Sequence, residues 1–205
     1  MSDPFDLVIR NGQIVTPTGV MSGDIGVRGS QIAAIEQTLG AAQRDFEADG
    51  CYVMPGGIDP HAHIEQMSGM GVMNADTFET ATRSAAIGGT TSVISFAAQA
   101  KGERLSATVA DYSARAKRGA MIDYAFHMTV TDTNVPSFEN DLGALIGAGN
   151  RSIKVFTTYN IQLSDAQILS VMSAARAHGA LVCIHAETDA IIAEAKSALI
   201  AAGKT

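Results

Sequence analysis

Over the first fifty residues apolar and polar positions alternate in short stretches, the period-two signature of strands with one buried face. Asp6-Leu7-Val8-Ile9, Gly12-Gln13-Ile14-Val15, Gly23-Asp24-Ile25-Gly26-Val27 and Gln31-Ile32-Ala33-Ala34-Ile35 are such stretches. Turn signals at Asn11-Gly12, Thr18-Gly19 and Arg28-Gly29-Ser30 separate them. Asn11-Gly12 is the strongest hairpin mark, because the favoured two-residue turn needs residues that tolerate positive φ. Residues 1–53 are therefore expected to form a small β-sandwich lobe.

After Met54 the period changes: apolar strands alternate with amphipathic helices, as in a parallel βα arrangement. The expected units are a strand ending at His61 with a helix over 76–87, and a strand over 91–96 with a helix over 106–118. Strands over 122–128, 152–156 and 181–185 follow, with helices over 138–148, 165–177 and 189–202. Ser164 or Asp165 is a good N-cap, and Gly179 after His178 a good stop. Residues 54–205 thus read as an α/β segment of about five βα units, part of a TIM-like (β/α) barrel. A closed barrel of that kind has eight units and roughly 250 residues.

Composition narrows the class. A chain of 205 residues with 46% hydrophobic content can bury a sizeable core, and no run approaches the ~20 apolar residues of a membrane span. The net charge of -7 argues against nucleic acid or an anionic membrane as partner. No basic segment followed by an apolar stretch opens the chain, so a cytoplasmic protein is expected. Cys51 and Cys183 sit in apolar, strand-like contexts without partner spacing and are expected to be free core residues.

Chemistry concentrates at the strand ends. His61 and His63 lie one residue apart, so on a strand both imidazoles share a face and can grip one metal ion. Paired histidines also occur on solvated strands, and further features separate the two readings. Asp59-Pro60 precedes the pair, Lys154 interrupts the apolar strand Ser152-Ile153-Lys154-Val155-Phe156, and His185 closes Leu181-Val182-Cys183-Ile184-His185. A lysine between Ile153 and Val155 must snorkel to the rim, pair with a carboxylate, or lose its charge. In the last case its amine reacts with carbon dioxide to give a carbamate, an anionic oxygen ligand that can bridge two metal ions. His127 ends the third strand and either faces the pocket or is a hydrogen-bonded core or rim histidine; His178, in the last turn of a helix, suits the dipole there.

Five segments in order carry a resemblance: Gly56-Gly57-Ile58-Asp59-Pro60-His61-Ala62-His63; Asp76-Thr77-Phe78-Glu79-Thr80 with Gly88-Gly89-Thr90-Thr91; Tyr124-Ala125-Phe126-His127-Met128; Ile153-Lys154-Val155-Phe156 with Tyr159; and His185-Ala186-Glu187. Through them the chain resembles the cyclic-amidohydrolase branch of the amidohydrolase superfamily, in particular the dihydropyrimidinase and D-hydantoinase group. The resemblance implies a distorted barrel with two divalent metal ions, usually zinc, bridged by a carboxylated Lys154. His61 and His63 would bind the more buried ion and His185 the more exposed one. Tyr159 would donate to the oxyanion of the tetrahedral intermediate, against the plainer reading of a loop aromatic. Asp59 and Glu187 would orient the histidine ligands from behind. Phe156 and the segment 64–74, with Ile64 and Met67, would shape the pocket for the substrate's exocyclic group.

The implied reaction is hydrolysis of a cyclic ureide, a dihydropyrimidine or hydantoin ring opening to an N-carbamoyl amino acid, by an enzyme that is usually a homotetramer. Allantoinase and dihydroorotase activities are alternatives. Dihydroorotases carry an arginine where this chain has Glu65, and a carboxylate facing the substrate would repel an anionic ring. The resemblance also calls for a further histidine ligand and a proton-shuttling aspartate beyond Thr205, so the chain by itself is expected to be inactive, as a fragment. A non-catalytic, dihydropyrimidinase-like assembly protein is the remaining alternative.

Overall fold

Asn11 and Gly12 do not turn the chain. In the computed structural model, which describes residues 4–69 and 71–204, they lie inside one ten-residue strand, β1 (Leu7–Thr16). Asn11 takes φ 58°, and the register against β2 (Gly19–Arg28) shifts between Ile9 and Gly12. The turn signal is thus spent on a β-bulge. The Asn11 amide donates to Asp24 Oδ1 at 2.9 Å, and a Cβ on Gly12 would meet Val53 Cγ2 at 2.5 Å. The hairpin itself is made by the two residues that follow the strand, between Thr16 and Gly19.

The chain divides into two compact units, Met1–Gly56 and Gly57–Thr205. In the first, β3 (Gln31–Glu36) pairs antiparallel with β2, while β4 (Asp45–Glu47) and β5 (Tyr52–Val53) pair parallel with β1. The expected β-lobe is one five-stranded mixed sheet among the described residues. Cys51, expected in a core, is exposed.

The second unit is the expected run of βα units: β6 (Gly57–Ala62), α1 (Phe78–Ile87), β7 (Thr90–Ala98), α2 (Leu105–Gly119), β8 (Asp123–Thr129), α3 (Phe138–Gly147), β9 (Ser152–Phe156), α4 (Asp165–His178), β10 (Leu181–His185) and α5 (Asp189–Ala201). The strands lie in chain order, β6 to β10, and every pair is parallel. This is a partial TIM-like barrel, its five-stranded sheet open at β6 and β10.

Alternation along each strand builds two unlike faces. Val93, Ala97, Phe126, Met128, Ile153 and Val155 are buried in the apolar core with residues of the helices, among them Phe78, Leu105 and Leu142. The intervening positions Ile94, Phe96, His127 and Lys154 line, with His61 and Cys183, a cavity of about 520 Å³ on the opposite side. Helix starts are set locally. Thr77 and Thr80 form a capping box on α1, and Ser164 and Gln167 form one on α4, which ends at Gly179 with φ 74°.

One polar tie joins α2 and α3 behind β8. Asp141 accepts from Arg104 Nε at 3.1 Å and Nη2 at 2.6 Å and from Ser106 Oγ at 2.7 Å. These donors, Arg104 first, hold the Asp141 carboxyl below the usual carboxylate range against the opposing pull of burial. Its folded value is depressed, so the stabilisation is present above the ordinary carboxyl pKa of 3.8 and is lost as pH falls through the folded value. Arg104 is 58% exposed, so screening discounts the ion pair and leaves mainly the hydrogen bonds of the buried acceptor. Asp141→Ala should cost about 1–2 kcal/mol at neutral pH in urea unfolding, with the difference shrinking below the ordinary carboxyl pKa of 3.8. An equal loss at every pH would contradict the assignment.

Candidate metal centre

The predicted chemical residues lie at the C-terminal ends of β6, β9 and β10, the end at which parallel barrels build their sites. At β6 the pairing is irregular. Asp59 pairs with Val93 and Ala62 with Ser95, so β6 carries one residue more than β7 across this span. The His61 amide, displaced from the ladder, donates to Asp59 Oδ1 at 2.9 Å. Asp59, expected to orient an imidazole, grips the histidine's backbone instead.

His61 and His63 come together as the spacing predicts, with ring centroids 5.3 Å apart. Both lean on Phe96. His61 meets it edge-on at 4.7 Å, and His63 stacks on it at 4.5 Å with an interplanar angle of 12°. His63 Nδ1 lies 2.7 Å from Gln66 Oε1, an acceptor, so Nδ1 carries the proton and Nε2 keeps its lone pair. Burial, followed by the neighbouring His63, Lys154 and His127, holds the His61 imidazole below the usual histidine range, outweighing the opposite pull of Asp59. The His61 imidazole therefore favours the neutral, ligating form.

A second cluster forms at the ends of β9 and β10. Lys154 is 9% exposed, and its Nζ lies 5.1 Å from the centre of the Phe156 ring. The Phe156 ring stacks on His185 at 5.4 Å, and Tyr159 approaches His185 at 5.3 Å. His185 Nε2 is buried and has no hydrogen-bond partner among the described residues. Glu187 Oε2 lies 3.3 Å from it, a distance suited to an ion pair but without hydrogen-bond geometry. Thr157 Oγ1 donates to the Glu187 carbonyl at 2.7 Å and accepts from the Glu187 amide at 2.9 Å, which ties the two loops together.

The pocket residues divide. Met67 and Phe156 line, with His63, Phe96, Gln99 and Asn160, a cavity of about 280 Å³. Ile64 is 5% exposed and sits in the helix-side core, so it supports the loop from behind. Met70, within the segment 64–74, lies outside the described residues. Glu65 turns away as well. Its Oε2 accepts from the Phe78 amide at 3.1 Å, at the positive end of α1, and its Oε1 meets Arg118 at 3.4 Å. The Glu65 charge is thus engaged at the helix terminus.

Among the described residues no group of three or more His, Cys, Asp or Glu side chains is gathered to hold a metal ion. The candidate set is two histidines, a lysine and a histidine, and lysine becomes a metal ligand only after its charge is removed. Sequence reasoning missed Phe96 and Gln66. Phe96 could have been found as the inward residue closing the apolar run 91–96, whereas nothing in the sequence marks Gln66. Gln66→Leu should release His63 into a mixture of its two neutral tautomers, read from imidazole ¹⁵N shifts. A spectrum that stays with the proton on Nδ1 alone would show that Gln66 does not set it.

Residues 52–204 match the amidohydrolase family. The D-hydantoinase of Rhizobium radiobacter is 39% identical over 203 residues, covering 98% of this chain and 44% of that protein. A solved D-hydantoinase superposes with a TM-score of 0.91 at 38% identity, over 98% of this chain and 44% of that one. The dihydropyrimidinase of Brevibacillus agri NCHU1002 gives 0.89 at 35% identity, over 97% and 43%. The chain thus spans about 44% of the length of such curated relatives. With the five parallel βα units and the histidine pair at the end of β6, the family match is decisive: this chain belongs to the amidohydrolase family.

Proposed function

We propose that this chain carries the metal-binding strands of a cyclic amidohydrolase that opens dihydropyrimidine or hydantoin rings to N-carbamoyl amino acids. The observation that carries the reading is His185 Nε2, a buried nitrogen left without a hydrogen-bond partner among the described residues, beside Glu187. Such a group is costly in a folded protein unless something absent from the chain itself binds it. The proton on His63 Nδ1 supports the same reading, since it leaves Nε2 free to ligate.

His61 and His63 would hold one divalent ion, zinc by preference, and His185 a second, with carboxylated Lys154 shared between them. When bound, the pair supplies Lewis acidity, lowering the pKa of water and polarising the scissile amide carbonyl. Carboxylation of Lys154 consumes a neutral amine and carbon dioxide, forms one N–C bond and releases one proton. It turns a cation into an anionic two-oxygen ligand. Tyr159, 50% exposed beside His185, would donate a hydrogen bond from its hydroxyl to the carbonyl oxygen as charge develops there. The 280 Å³ cavity between His63 and Phe156 suits a small ring, with Met67 and Phe96 against its apolar substituent and Asn160 available to its polar edge.

The purified chain, incubated with zinc and bicarbonate and then desalted, should retain metal by elemental analysis. His61→Ala and His63→Ala should each lose it. A mass spectrum under non-denaturing conditions should show one added carbon dioxide that disappears in Lys154→Ala. Ring opening of dihydrouracil and hydantoin by the same preparations tests the substrate class. A chain that retains neither metal nor carbon dioxide would sink the reading.

A further inference from the structure

His127 is a buried histidine that takes no part in the proposed chemistry, yet both of its ring nitrogens are committed. It sits in register with Phe96 on one side and Ser152 on the other. Its Nδ1 lies 2.6 Å from Ser152 Oγ, on the neighbouring strand. Its Nε2 reaches in the other direction, past the β7 strand, to the Pro60 carbonyl at 2.8 Å. A carbonyl can only accept, so Nε2 must carry a proton. The ring packs on Phe96 at 4.9 Å, the same phenyl face-and-edge platform that supports His61 and His63.

The acceptor is the informative partner. Pro60 lies within the stretch where β6 has one residue more than β7, so the ladder is broken there. Proline has no N–H to contribute, and the two backbone groups beside the break are satisfied by side chains. Asp59 accepts from the His61 amide at 2.9 Å, and His127 donates to the Pro60 carbonyl at 2.8 Å. A bulge re-aims the side chains that follow it, and here those are His61 and His63.

We infer that His127 is a positioning residue: its Nε2–H on the Pro60 carbonyl, backed by Ser152 at Nδ1, holds the β6 bulge that aims His61 and His63 into one site. The consequence for metal binding rests on the proposed role of that histidine pair. The clamp itself does not.

The tautomer can be read on the unaltered chain without metal, from imidazole ¹⁵N–¹H spectra. A proton on His127 Nε2 is expected, and one on Nδ1 alone overturns the inference. His127→Phe keeps the ring packing on Phe96 but cannot donate. It should speed amide exchange at His61, Ala62 and His63 by roughly tenfold, the scale of one lost buried hydrogen bond, while Met128, Ile153 and Val155 keep their wild-type rates. His127→Gln, which can still donate from a similar position, should restore much of that protection. Unchanged exchange at residues 61–63, or acceleration spread evenly over the core strands, refutes a local clamp.

Added cobalt(II) then separates the two claims. A wild-type chain whose visible spectrum shows bound cobalt, weakened about tenfold in His127→Phe at unchanged Tm, supports positioning through the histidines. A wild-type chain that binds no cobalt overturns the proposed metal site, while the exchange and tautomer results still decide for or against the clamp.

Discussion

Each strand of a parallel βα sheet must serve two environments at once, because successive side chains point to opposite faces. In this chain that constraint sorts the sequence almost residue by residue. On β9, Ile153 and Val155 are wholly buried in the helix-side core, while Lys154 between them lines the opposite cavity. On β8, Phe126 and Met128 join the same core, and His127 faces the cavity with Lys154. Polar groups can occupy the inner face only if something there satisfies them. The inner face therefore gathers imidazoles, a lysine and the aromatic rings that flank them.

Regular alternation does not by itself explain the histidine pair. The β6 strand departs from regular pairing between Asp59 and Ala62, and the departure occurs at a proline that has no N–H to give. The free groups are taken up by a carboxylate two residues before His61 and by an imidazole from β8. A ladder irregularity stabilised by side chains is a built feature, and its effect is to carry both histidines onto Phe96. At the other cluster, the stacked Phe156 and His185 rings serve as the corresponding platform.

Much of this was legible before any coordinates. The switch from period two to βα alternation after Met54 located all five barrel units, and the helix over 165–177 with a cap at Ser164 and a stop at Gly179 corresponds to α4. These features are local: periodicity, capping chemistry and a glycine that alone accepts φ 74° comfortably. Asn11-Gly12 misled because the same preference for positive φ serves a bulge as well as a hairpin, and only the pairing of Asp24 and Val53 around it decides between them. For the candidate site, spacing and anomalous polarity within apolar strands single out His61, His63, Lys154 and His185. They do not single out the partners Phe96, Gln66 and Pro60, since what makes each important is a contact formed only when distant strands meet, or one that many sequences could make by chance.

Glu65 shows how the fold can engage a charge that the sequence leaves open. It follows the histidine strand closely, and a charge there invites a role in substrate choice. Yet its backbone takes φ 50°, and its carbonyl accepts from Arg115 at 2.6 Å while its carboxylate serves the Phe78 amide and Arg118. Tyr159, in the loop after β9, takes φ 69°, and next to it Thr158 donates to Asp189 in the first turn of α5 at 2.7 Å. The loops after β6 and β9 thus each contain a non-glycine residue in the left-handed region, a conformation that persists only where surrounding bonds over-determine it. The side-chain bonds among them run to the helices α1, α2 and α5. The backbone of the two loops is consequently tied to helix side chains, and a substitution at Arg115 or Asp189 acts on the candidate site through the backbone of its neighbours.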